Sequence, residues 1–220
     1  MVEVATSILN IDREKAIRTL YDLEYAKTDY FHIDVMDGKF VKKDTSSMMR
    51  EYCEYLNSIS NLPLDVHLMV EDVESYIDSY LIYEPNILTF HYEACKKKEQ
   101  VLEYIKYIKE RNCRVGITLN PDTPIEEIYE FLPYVHMALI MTVVPGEGGQ
   151  KMIDSTIDKI KKVKEYCVKN EIDIDIEADG GITLENAPKV REAGANILVA
   201  GKTIVSSKDY AKTIQELKNA

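Results

Sequence analysis

Three apolar runs in this chain carry, at or near their ends, side chains that can bind a cation or move a proton. Tyr30–Met36 contains His32 and Asp34 and runs into Asp37-Gly38; Leu64–Val70 contains Asp65 and His67; Ile172–Ala178 runs into Asp179-Gly180-Gly181. Residues two apart on a strand share a face, so His32 pairs with Asp34 and Asp65 with His67. An imidazole beside a carboxylate is costly to bury unless a cation takes up both groups. His32, Asp34, His67 and Asp179 at equivalent heights make a four-ligand set for one divalent ion. Mixed nitrogen and oxygen donors suit Zn²⁺, Fe²⁺, Mn²⁺ or Co²⁺ better than Ca²⁺. A lone strand histidine is more often a hydrogen-bonded core residue; two of them, each near a carboxylate, shift that balance. A second chemistry is written in glycine. Gly146, Gly148 and Gly149, then Gly180 and Gly181, then Gly201 follow three successive apolar runs, where backbone N–H groups can approach an anion such as phosphate.

The elements that must position these residues alternate without interruption. Strands are expected at Val2–Leu9, within Tyr30–Gly38 (a strand running into a glycine turn), Leu64–Val70, Ile87–His91, Val115–Leu119, Met137–Val143, Ile172–Ala178 and Ile197–Ala200. Each is followed by a helical pattern. The first is capped by Asp12, with Ala16, Ile17, Leu20, Leu23 and Tyr25 as its apolar face. The others are Ser46–Ile59, Asp72–Tyr83, Lys97–Arg111 (Val101, Leu102, Ile105 and Ile108 inward), Thr123 to Phe131 or Leu132 with Thr123 as cap and Pro124 in its first turn, Asp154–Lys169, Leu184–Ala193 and Ser206–Lys218. Eight strand–helix units without hairpins call for a closed (β/α)8 TIM barrel of class α/β, occupying residues 1–220 as one catalytic domain. An open doubly wound sheet is the alternative. Gly146–Gly149 lacks the spacing of a dinucleotide fingerprint. In a barrel the strand C-termini carry the site, which is where the residues above fall.

Composition narrows the partners. With 38 acidic against 27 basic residues the 220-residue chain has a net charge of −11, so neither nucleic acid nor an anionic membrane is an expected partner. Cys53, Cys95, Cys113 and Cys167 are widely spaced and read as reduced thiols. No apolar run approaches the ~20 residues of a membrane span, and no leader pattern opens the chain, so a cytoplasmic location is expected. Strand seven places Asp173, Asp175, Glu177 and Asp179 on one face; Asp173 is expected at an exposed rim and Glu177 in a lumen ion pair. His136 is expected at the rim opposite the site, and His91 to line the pocket outside the ligand set. Asp37 is expected to cap its loop or to orient a substrate, behind Asp34 in importance.

Taken together, the stretches SIL (7–9), HIDVMDGKFV (32–41), DVHLMV (65–70), LNPDTP (119–124), MTVVPGEGGQ (141–150), EADGGI (177–182) and GANILVAG (194–201) resemble the ribulose-phosphate 3-epimerase family. They span residues 7 to about 204. The resemblance implies interconversion of D-ribulose 5-phosphate and D-xylulose 5-phosphate with one divalent metal. It implies His32, Asp34, His67 and Asp179 as ligands, with Asp34 and Asp179 also the acid/base pair. It puts Ser7 and His67 against the substrate, Met36, Met69 and Met141 on the site wall, and the phosphate at Gly146, Gly148, Gly149, Gly180, Gly181 and Gly201. The expected partners are a small ketose phosphate and, in a homo-oligomer, further copies of the chain.

Departures from the family pattern bear on the substrate. Glu147 stands where the family usually has an aromatic, and Lys202 where a small hydroxyl residue is usual. Lys202 is expected either to add charge to the phosphate site, pairing with Glu147 when the site is empty, or to point to solvent. A related substrate such as D-allulose 6-phosphate stays open, as does a non-catalytic sugar-phosphate-binding barrel. The decarboxylase relatives use Asp-x-Lys-x-x-Asp on strand three; here His67 and Val70 occupy the lysine and second aspartate positions, so that chemistry lacks its base.

Overall fold

A computed structural model describes all 220 residues. Eight parallel strands close on themselves in chain order: β1 (Glu3–Ser7), β2 (Tyr30–Met36), β3 (Leu64–Met69), β4 (Ile87–His91), β5 (Arg114–Leu119), β6 (Met137–Met141), β7 (Asp175–Asp179) and β8 (Ile197–Val199). The outer layer is α1 (Ala16–Tyr25), α2 (Ser46–Ile59), α3 (Val73–Leu81), α4 (Lys98–Lys109), a 3-10 helix (Ile125–Tyr134), α5 (Thr156–Lys169), α6 (Ala187–Ala193), α7 (Lys202–Val205) and α8 (Tyr210–Lys218). This is the expected (β/α)8 barrel. The open-sheet alternative is excluded by the β1–β8 pairing, in which Val4 lies opposite Leu198.

Strand alternation separates two apolar regions. Phe31, Ile33 and Val35 of β2 and Val66 and Leu68 of β3 face the helices in one large cluster. The lumen holds a smaller one built from Ala5, Ile87, Met137, Leu139, Ile197 and Val199, among others. The rest of the lumen is polar. Ser7 lies opposite His32, His32 opposite Asp65, and Asp34 opposite His67. Across the barrel Met141 lies opposite Asp179, and Asp179 opposite Val199. Gly116 has a steric role in that packing: a Cβ there would lie 2.2 Å from the Thr89 hydroxyl oxygen.

Several elements differ from the sequence expectation. β7 begins at Asp175 rather than Ile172, because Ile172 N–H is spent closing α5 on the Cys167 carbonyl. The segment after β5 is a 3-10 helix with Pro133 inside it. Thr123 does not cap it, since its hydroxyl donates to Glu93 instead. The last helical pattern is two helices, α7 directly after Gly201 and α8 capped by Asp209, whose carboxylate accepts from Lys212 N–H. Ile17, Tyr25 and Leu102, expected inward, are exposed; Ala16, Leu20 and Leu23 form the buried face of α1, and Tyr104 joins Val101, Ile105 and Ile108 on α4. Asp12 and Asp72 do cap their helices, accepting from Glu14 and Ser75 N–H.

Truncating the strand–helix layer should be costly where surface truncation is not. Ile33→Ala should lower the unfolding free energy by about 2–5 kcal/mol, whereas Tyr25→Ala should change it by less than about 0.5 kcal/mol. Urea unfolding followed by circular dichroism measures both.

Candidate active site

The strand C-termini open into a cavity of about 730 Å³. Ser7, Asp34, Met36, Met69, Met141 and Asp179 line it, with Gly146, Gly148, Gly149, Gly180, Gly181, Gly201 and Lys202. Every site residue read from the sequence is therefore at the cavity except His32 and His67, which are fully buried behind it.

Those two histidines make a compact cluster with the carboxylates. His32 Nε2 lies 3.4 Å from Asp34 Oδ1 and 3.6 Å from Asp179 Oδ2. His67 Nδ1 lies 3.5 Å from each of the same two oxygens. Both ring nitrogens are buried and have no hydrogen-bond partner. A tetrahedral ion with bonds of about 2.0–2.2 Å separates its ligands by about 3.3–3.6 Å, so the spacing and the bare nitrogens fit one divalent cation.

The surrounding groups orient this set. Ser7 Oγ donates to Asp34 Oδ2 at 2.8 Å. His32 Nδ1 hydrogen-bonds the Asp65 carboxylate, which leaves Nε2 facing the site, the usual arrangement behind a metal-binding imidazole. Asp65 is thus a support to His32. Asp37 is a loop clamp: its carboxylate accepts from Lys39, Phe40 and Glu71 N–H, tying the loop after β2 to the loop after β3.

Electrostatics follow from burial and from these neighbours. Burial lowers the His32 pKa, but Asp65 and then Asp34 outweigh it and hold the imidazole well above its ordinary value. His67 is also raised, burial being outweighed by the Asp179 and Asp34 carboxylates beside its ring. Burial would raise Asp34 and Asp179; the two histidines overcome it and depress both. Glu177 corrects the expected lumen ion pair. It is fully buried with neither carboxylate oxygen partnered, and burial, then Asp65, push its carboxyl well above the usual range. The base of the barrel does carry an ion pair, Arg114 with Asp175 at 2.5 Å, and Asp173 is exposed as expected.

His91 does not line the cavity. It is buried and stacks on His67 from behind, with burial bringing its pKa down to about 4. His136 sits at the opposite end, its Nδ1 accepting from Val115 N–H.

At the glycine-rich rim, Gly181 has φ +65°, and a Cβ there would lie 2.4 Å from the Met152 nitrogen, so only glycine fits. Lys202 is exposed at the cavity mouth; its stem lies along Gly149, rather than paired with Glu147. Sequence reading missed Asn10, which packs on Gly148, and Lys189, which reaches the rim from α6. Lys189 has no motif around it that could have revealed it. Asn10, directly after the Ser-Ile-Leu stretch, did have a signal in its position.

Fold and site together define a (β/α)8 barrel with a buried histidine–carboxylate centre at its strand C-termini. The chain belongs to the ribulose-phosphate 3-epimerase family, whose profile matches residues 3–205. It is 41% identical over 221 residues to the ribulose-phosphate 3-epimerase of Bacillus subtilis (strain 168), covering 100% of both chains. It is 36% identical over 220 residues to the ribulose-phosphate 3-epimerase of Methanocaldococcus jannaschii, covering 100% of this chain and 91% of that one. Among solved structures, the 3-hexulose-6-phosphate synthase from Salmonella typhimurium superimposes with a TM-score of 0.71 at 13% identity, covering 99% of this chain and 97% of that one. That likeness shows the barrel alone.

The pKa directions set the pH response of metal-free protein. His32 and His67 are raised, so their stabilisation is complete below the unfolded imidazole value of about 6.5 and is lost as pH rises through the folded values. Asp34 and Asp179 are depressed, so theirs is present above about 3.9 and is lost as pH falls through the lowered values. The Tm of chelator-treated protein should therefore fall on the alkaline side, and a divalent cation should abolish that fall. A flat Tm from pH 6 to 9 after chelation would count against the ion cluster.

Proposed function

We propose that the chain is a metal-dependent isomerase that epimerises D-ribulose 5-phosphate and D-xylulose 5-phosphate at C3. One observation carries the reading. Asp34 and Asp179 are the two members of the buried cluster that reach the cavity, they come from strands three places apart around the barrel, and each lies within 3.6 Å of both histidines. Inversion at C3 of a 2-ketose needs a proton removed on one face and returned on the other. Two carboxylates facing one cavity are a minimal device for that. Family membership, with two curated relatives named for this activity, points the same way.

In this mechanism His32, Asp34, His67 and Asp179 hold the divalent ion. Zn²⁺, Fe²⁺, Mn²⁺ and Co²⁺ all suit this donor set. When bound, the ion supplies Lewis-acid stabilisation of the negative charge that develops on the C2 and C3 oxygens. One aspartate takes the C3 proton as general base, while the other, protonated, delivers a proton to the opposite face. The roles exchange in the reverse direction. Ser7 holds the Asp34 carboxylate in place by donating to its second oxygen. Met36, Met69 and Met141 wall the reacting carbons with polarizable thioethers that carry no exchangeable proton. The substrate phosphate lies at the glycine rim, held by backbone N–H groups with Lys202 beside them.

Asp34→Asn and Asp179→Asn should each lower kcat by at least about 10²–10⁴-fold without unfolding the barrel. In ²H₂O the parent should wash deuterium into C3 of D-ribulose 5-phosphate; a binding-only barrel leaves C3 unlabelled. Assaying a small panel of ketose phosphates alongside separates pentulose from hexulose preference. Lys202→Ala should raise KM about tenfold with little change in kcat. An unchanged KM would leave the phosphate to the backbone alone.

A further inference from the structure

Behind the cluster, on the side away from the cavity, a second chain of polar groups begins at His67. Its Nδ1 faces Asp34 and Asp179, while its Nε2 lies 3.0 Å from Nε2 of His91. His91 Nδ1 lies 3.4 Å from Glu93 Oε2, the carboxylate oxygen nearest to it, and neither atom has a hydrogen-bond partner. The other Glu93 oxygen, Oε1, accepts from Asn120 N–H at 2.7 Å and from the Thr123 hydroxyl. Asn120 and Thr123 carbonyls in turn accept from Lys159 Nζ, 3.2 Å from the former. Both histidines are fully buried.

Such a chain couples the protons of its two imidazoles. Two ring nitrogens 3.0 Å apart need a single proton between them, because two would clash and none would leave facing lone pairs. For His67 to present a bare Nδ1 to the site, that proton must sit on its own Nε2, with His91 Nε2 accepting. Neutral His91 then carries its hydrogen on Nδ1, facing Glu93. A protonated His91 would point an N–H at the N–H of His67. Glu93 is fixed by two donors from the segment after β5, so the choice made at one end settles the tautomers along the chain.

We propose that His91 and Glu93 are positioning residues that lock His67 in the Nε2–H tautomer and so hold its Nδ1 ready for the metal. The proposal rests on the reading of His67 as a metal ligand. Neither residue reaches the cavity, and neither touches the substrate. They act on the ion through His67, as Asp65 acts through His32, so each imidazole has its own support on a different strand. Outer partners of this kind typically contribute 10–100-fold to metal affinity.

The test is Co²⁺ affinity of the substrate-free protein by chelator competition, together with the visible spectrum of the Co²⁺ form. His91→Leu removes the acceptor and should weaken Co²⁺ binding about 10–100-fold and alter the spectrum. His91→Gln keeps an amide oxygen near the Nε2 position and should restore affinity to within a few-fold of the parent. Glu93→Gln, which leaves His91 in place, should weaken binding in the same direction as His91→Leu and serves if that variant fails to fold. Parental affinity and spectrum in His91→Leu or in Glu93→Gln would overturn the proposal, as would equal losses in His91→Leu and His91→Gln, which would mean packing alone. Parent turnover of D-ribulose 5-phosphate is measured in parallel. If it is absent while the Co²⁺ results are as expected, the epimerase reading fails and the relay stands. If the parent binds no Co²⁺, the ligand reading falls and the relay with it.

Discussion

The constraint on which this barrel depends is the burial of Asp34, Asp65, Glu177 and Asp179 with two imidazoles in one lumen, with no lysine or arginine paired to any of them. Carboxylates so close, out of reach of water, would oppose folding unless charge is returned to the cluster. Three devices return it. Burial and Asp65 push the Glu177 carboxyl upward, which disfavours its ionised form. The neighbouring aspartates draw His32 and His67 upward, which favours their charged forms. A divalent ion held by the same four side chains would supply positive charge directly. The groups that make the metal-free protein tolerable are thus the groups that make a metal welcome.

The architecture supports this by dividing its labour along the strands. Apolar residues facing outward join strands to helices, and the lower lumen is filled by Ile87, Met137, Leu139 and Ile197. Polar residues then concentrate toward the C-terminal ends, where the register sets Asp34 beside His67 and Asp179 beside Met141. The loops complete the cavity with a different chemistry. Their glycines bring backbone within reach of an anion, while the Asp37 carboxylate ties two loops together so the rim keeps its shape. In the proposed mechanism proton transfer belongs to the strands and phosphate binding to the loops, so the two can be varied separately.

Much of this was legible before the chain was folded. Strand four was readable to its ends at Ile87 and His91, because Pro85-Asn86 precedes it and the apolar run is continuous. The gathering of His32, Asp34 and His67 was readable because period-two spacing in β2 and β3 puts imidazoles and carboxylates on one face, and Asp179 because it ends a third apolar run before Gly180-Gly181. What failed did so for tertiary reasons. Thr123 looked like a helix cap, but Glu93, distant in sequence, takes its hydroxyl. Glu177 looked like an ion-pair partner, yet the nearest groups across the lumen are Asp65 and His32 rather than a lysine or arginine. Tyr25 is a local miss instead: at about 3.6 residues per turn it points away from the buried face of Ala16, Leu20 and Leu23, and it is exposed.

Sequence alone therefore determined the alternation of elements, the closed barrel that eight such units demand, and which histidines and carboxylates gather at its C-terminal end. These are local quantities, written in residue type and in spacing along one strand. Only the tertiary structure decided which groups support which. That His32 leans on Asp65, that His67 leans on His91 and through it on Glu93, and that Lys202 runs along Gly149 rather than to Glu147 are facts of neighbouring strands and loops. The reason is geometric. A tautomer, or the charge of a buried acid, is set by whatever lies within about 3 Å of it. In a parallel barrel those neighbours come from the next strand, some twenty to thirty residues away along the chain.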